Sequence, residues 1–151
     1  MTINQNGLFV EPGQGSSYYF DQNLYTFKAV GEDTNGAYTL FELIVAPGSG
    51  SPLHRHNEED ESFYVQEGEV EFQLDDRILV ATAGTFIYSP KGQHHRIKNT
   101  TSVPAKMLAW VMPPGVEKII VEMGKRVNGQ ITSAPPLSSE DLDKMLSTAP
   151  K

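Results

Sequence analysis

Short apolar segments separated by turns, at intervals of roughly ten residues, run from Ser17 to Met112 and favour an all-β fold. Tyr38 to Val45 is β-branched and aromatic and stops at Pro47-Gly48. Ser62 to Gln66 ends before Gly68, and Glu69 to Leu74 alternates strictly, with Val70, Phe72 and Leu74 sharing one face. Asp75-Asp76 turns the chain back into Arg77 to Val80. Tyr25 to Val30, Phe86 to Tyr88, His95 to Asn99 and Met107 to Met112 complete the set. No long helix separates these strands, so the pattern predicts an antiparallel all-β domain, its turns supplied by 13 glycines and 10 prolines. Phe63, Phe72, Phe86, Tyr88 and Trp110 are expected in the core. Lys28 is expected to be exposed on an edge strand.

The period then changes. After Pro113-Pro114-Gly115, Val116, Ile119, Ile120 and Met123 fall on one helical stripe that Gly124 ends. A second short helix is predicted at 139–146, where Ser138 and Asp141 resemble a capping box ahead of Leu142, Met145 and Leu146. With no internal repeat, the chain divides into an N-terminal arm at 1–17, one β-domain at 18–112 and a helical tail at 113–151.

Charge and composition remove several functional classes. Twelve Lys and Arg against 19 Asp and Glu leave a net charge of −7, which argues against nucleic-acid or anionic-membrane partners. Zero cysteines exclude disulfides, thiol nucleophiles and thiolate metal sites. Met1 to Gly7 lacks a basic stretch followed by an apolar one, and the longest apolar run, Met107 to Met112, is too short to span a bilayer. The expectation is a cytoplasmic protein with a small-molecule substrate.

The four histidines fall in two pairs, His54 with His56 and His94 with His95. Residues i and i+2 of a strand face the same way, so His54 and His56 aim two imidazoles at one point. Glu61 opens the next apolar strand, and Glu59 shares its parity. His95 shares a face with Ile97 and Asn99, whereas His94, Arg55 and Arg96 have the opposite parity and are expected to point away.

Glycines and prolines frame these residues. Five residues separate Gly48 from His54-Arg55-His56; four residues then separate His56 from Glu61, and six more lead to Gly68. In a second block five residues separate Gly84 from Pro90, which is followed by Gly92, His95 and Asn99. The two blocks resemble both signature motifs of the cupin superfamily. Within it, Gly31 to Thr34, Glu61 to Val65 and the helix after Pro113-Pro114 look like small bacterial quercetin 2,3-dioxygenase-like cupins.

That resemblance implies a single antiparallel jelly-roll barrel with one or two short C-terminal helices, holding one divalent transition metal (Fe, Mn, Ni, Co, Cu or Zn). The family's ligand positions fall on His54, His56, Glu61 and His95. Gly48, Gly68, Gly84, Pro90, Gly92 and Asn99 fall on turn or structural positions. The ligand set leaves two adjacent positions open on an octahedral ion, which suits a substrate oxygen beside dioxygen. The implied activity is that of a metal-dependent dioxygenase acting on a neutral oxygenated aromatic or enol-type molecule, with Glu61 as candidate base. The alternatives are a non-enzymatic metal-containing binder or sensor, and a cupin-type isomerase or cyclase. A homodimer is expected, because the family often buries its sheet edges between subunits.

Overall fold

The alternating segments form ten strands, with one helix, among residues 3–127, which the computed structural model describes. They are β1 (Ser16–Phe20), β2 (Asn23–Ala29), β3 (Thr39–Val45), β4 (Asp60–Glu67), β5 (Glu69–Leu74), β6 (Arg77–Thr82), β7 (Phe86–Ser89), β8 (His95–Lys98), β9 (Ala105–Met112), α1 (Val116–Met123) and β10 (Lys125–Arg126). Every pairing between strands is antiparallel. A seven-stranded sheet has the order β10-β1-β2-β3-β9-β4-β7, and a three-stranded sheet the order β6-β5-β8. Each sheet turns one set of alternate side chains inward. Phe41, Leu43 and Val45 of β3 and Met107, Ala109 and Val111 of β9 are buried from one sheet, and Val70, Phe72 and Leu74 of β5 from the other.

The expected closed barrel is corrected here: the two sheets do not close into one. Closure would need a continuous ladder between them. The segment that runs beside β8, Pro47 to Pro52, carries two prolines and makes only the isolated bridges Gly50 to Lys98 and, just beyond it, His54 to His95. The domain is an open two-sheet arrangement with its apolar side chains between the sheets. One helix, α1, lies among the described residues, and the helix predicted at 139–146 falls outside them.

Two smaller expectations are also corrected. Phe86 and Tyr88 sit on the outer face of β7, 55% and 48% exposed, while their neighbours Ile87 and Ser89 face inward. Lys28 is on an interior strand, since β2 lies between β1 and β3. Its ammonium pairs with Glu42 at 3.1 Å and donates to the Gln14 carbonyl at 2.6 Å. No helix among the described residues is long and apolar enough to cross a membrane.

Candidate metal centre

The site forms where the 50s segment meets β8 and β4. His54 and His95 form a reciprocal backbone pair: His54 N donates to the His95 carbonyl at 3.0 Å and His95 N to the His54 carbonyl at 2.7 Å. This sets their rings side by side, centroids 4.4 Å apart. The approach depends on Gly50, where a Cβ would collide with the Ile97 carbonyl. His56 is fixed by its own carbonyl, which accepts from Gly92 N at 2.7 Å, and Gly92 adopts φ +87 to do so. Glu61 enters from β4, directly across from Ser89 on β7.

Hydrogen bonds at the far side of two rings set the tautomers. His54 Nδ1 lies 2.7 Å from the Pro52 carbonyl, which only accepts, so Nδ1 carries the proton and the Nε2 lone pair is free. Ser89 Oγ donates its single proton to Gln93 Oε1 at 3.1 Å, so it accepts from His95 Nδ1 at 3.0 Å. His95 Nε2 is then also a free lone pair, and it stands 3.1 Å from Glu61 Oε2. His56 Nε2 is 3.3 Å from the same oxygen. Glu61 Oε2 is nonetheless buried without a hydrogen bond, since no proton lies correctly between it and either imidazole.

Electron-pair donors packed this closely repel unless a cation lies among them. One donor atom from each of His54, His56, Glu61 and His95 lies within 4.8 Å of every other. Three imidazoles and one carboxylate without thiolate form a borderline-hard set. The cluster fits one divalent transition metal.

The charges follow the same geometry. Burial, with His95 beside it, pushes His54 down to about 4. Burial opposes the charged form of Glu61, but His56 and His95 outweigh it and hold the carboxyl far below its usual range. His56 is raised despite burial, by Glu61 and Glu59.

An apolar cavity of about 100 Å³ opens onto the cluster. Phe20, Tyr25, Phe41 and Phe63 line it with Val116, Ile119 and Ile120 of α1, and no lysine or arginine among the described residues does. Burial, helped by the charges of Asp21 and Glu61, pushes the Tyr25 phenol upward. The other candidates from the sequence lie elsewhere. Arg96 points to the outer side of its sheet and bonds Glu71 and Gln73, while Arg55 and His94 are exposed. Asn99 is fully buried and donates to the Val45 and Val103 carbonyls, tying two loops together.

Some residues of the site have no mark in the sequence. Ser89 and Pro52 act through an imidazole, and their spacing to it follows no fixed rule. Glu59 was visible by parity as a rival to Glu61. It lies beside the cluster instead, its Oε2 3.9 Å from His56 Nδ1, and both atoms are buried without hydrogen bonds. Asp21 lines the cavity from the β1–β2 turn, and no motif includes it.

The family profile described as "Cupin domain" matches residues 41–111, the stretch from β3 to β9 that carries all four residues. The matched stretch is just under half of this chain. The chain is similar to an uncharacterised protein of Methanocaldococcus jannaschii, 37% identical over 76 residues, which are 50% of this chain and 61% of that protein. Quercetin 2,3-dioxygenase of Bacillus subtilis is 25% identical over 130 residues, 86% of this chain. This chain spans only 38% of that enzyme's length. Among solved structures, a predicted oxalate decarboxylase of Thermotoga maritima superposes with a TM-score of 0.64 at 22% identity, covering 69% of this chain and 97% of that one. At that identity the likeness is one of fold.

Proposed function

We propose that this chain is a metal-dependent dioxygenase of a neutral, oxygenated aromatic or enol-type small molecule, with His54, His56, Glu61 and His95 as the metal ligands. The observation that carries the reading is the combination of a three-imidazole, one-carboxylate cluster with an aromatic cavity that no cationic side chain among the described residues lines. A phosphorylated or dicarboxylate substrate needs arginine or lysine at its anionic groups. A cavity of about 100 Å³ is of the order that takes up a single ring, since apolar cavities of ~150 Å³ bind benzene. The oxygenated ring of a flavonol, or a β-diketone, therefore enters, with any remainder of the ligand at the mouth.

When bound, a divalent metal supplies Lewis acidity and, for a redox-active ion, a place for dioxygen beside the substrate oxygen. The chain's own residues do the rest. Pro52 and Ser89 keep the His54 and His95 lone pairs turned inward. Glu61, as a carboxylate, offers an oxygen to a hydroxyl proton of the substrate. Phe63 packs on His95 with centroids 6.2 Å apart and, with Phe41 and Ile120, keeps bulk water from the reacting face.

The test is oxygen uptake by protein loaded separately with iron, manganese, nickel, cobalt or copper, using quercetin and acetylacetone. At least one metal form should consume oxygen in proportion to substrate lost, and metal-free protein none. Substrate conversion that proceeds equally under argon would contradict the dioxygenase reading in favour of an isomerase or cyclase.

A further inference from the structure

A second acidic residue, which the metal cluster does not use, lines the cavity. Asp21 and Gln22 form the two-residue turn between β1 and β2, both at positive φ (54° and 62°), as a tight hairpin of this type requires. Ser49 Oγ lies 3.0 Å from the Asp21 carbonyl and 2.9 Å from Asn23 Oδ1, and Asn23 Nδ2 donates to the Gly50 carbonyl at 3.0 Å. The turn is thus pinned to the segment that leads into His54.

Only the backbone of Asp21 is used in this. Its carboxyl makes no hydrogen bond or ion pair among the described residues, and the residue lines the same cavity as the four-residue cluster. Burial pushes it up to about 6. Tyr25 lines the same cavity, and its phenol is pushed upward by burial and by the charges of both Asp21 and Glu61. The turn itself gives no reason for an acid, because asparagine or glycine adopts the same backbone at least as well. A partly buried carboxyl without a partner is destabilising in an apolar wall, and a hydrogen-bond donor from a ligand would relieve it.

We propose that Asp21 anchors the substrate: its carboxylate accepts a hydrogen bond from a second hydroxyl of a ligand whose first oxygen lies at the metal cluster, and it repels anions. The proposal rests on the reading of this cavity as the substrate site. It assigns the site a preference for neutral ligands with two separated oxygen functions over monohydroxy analogues and over dicarboxylates.

Binding to zinc-loaded protein tests this without turnover, because zinc is redox-inert. The probes are quercetin, 3-hydroxyflavone (which lacks the additional hydroxyls) and oxalate. Asp21→Ala is expected to weaken quercetin binding about tenfold or more, the usual value of a charge-assisted hydrogen bond, and to leave 3-hydroxyflavone within about twofold. Asp21→Asn retains an accepting oxygen and should lose less. Both variants should bind oxalate several-fold more tightly. Both should also melt a few degrees higher than wild type at pH 7.5, whereas loss of a merely structural residue lowers the melting point.

Unchanged affinity for quercetin and oxalate in the alanine variant overturns the proposal. Should wild type bind neither flavonol, the flavonol reading fails, and oxalate alone decides the role of Asp21. Tighter oxalate binding in Asp21→Asn then sustains anion exclusion, and equal binding refutes it.

Discussion

His56 differs from its two partner imidazoles in having no neutral hydrogen-bond partner behind it. Its Nδ1 faces Glu59 Oε2 across 3.9 Å, two buried polar atoms that each lack a hydrogen bond. Glu59 is thus the carboxylate placed to back His56, as is common for metal-bound histidines. Glu59→Gln should therefore weaken zinc binding about tenfold in a chelator competition, with Glu58→Gln, at an exposed neighbour, as the unchanged control. Equal affinities in the two variants would refute this role for Glu59. His54 and His56 were legible from their i, i+2 spacing, although the structure holds that segment by isolated bridges and not in a strand. Ser89 and Asp21 were not, since their positions depend on which strands and turns meet across the fold. Phe86 and Tyr88 misled for a related reason: Phe86-Ile87-Tyr88 is apolar throughout, so no polar neighbour marks which parity faces inward.

At the level of elements, α1 matters because it supplies one wall of the cavity. Its apolar stripe was legible from the 3.6-residue period, and Ile120 is its most buried residue. What holds it in place was not legible, because the partners lie far apart in sequence. Glu117 in its first turn accepts from Gly31 N at 3.0 Å, Thr39 Oγ1 at 2.7 Å and Gly115 N at 2.7 Å. Burial opposes the charge of this carboxylate, but these donors outweigh it and lower its pKa below the ordinary 4.5. The folded state thus holds the Glu117 proton less tightly than the unfolded chain. Its contribution is present above pH 4.5 and is lost as pH falls through the lower folded value. Glu117→Gln should cost about 1 kcal/mol at pH 7, allowing for partial exposure, and progressively less below pH 4.5. Urea melts at pH 7 and pH 3 measure this, and a deficit that stays constant across that range would contradict it.

For the molecule as a whole, eight of the ten strands and their antiparallel pairing were present in the sequence pattern, and the family resemblance implied that the two motifs meet at one point. Closure of the sheets was not. It depends on whether the 50s segment hydrogen-bonds continuously to β8, and two prolines with a close-packed Gly50 leave only two isolated bridges there. The same irregular backbone places His54 against His95, so the open seam and the metal cluster have one cause. The central claim is that this cluster is a metal centre. Elemental analysis of untagged protein, after equilibration with each divalent transition metal and gel filtration, tests it most directly. The account predicts about one ion per chain for wild type, bound with a rise in melting temperature, and loss of both in His95→Ala. Failure of wild type to retain any of the ions, or full retention by His95→Ala, would contradict it.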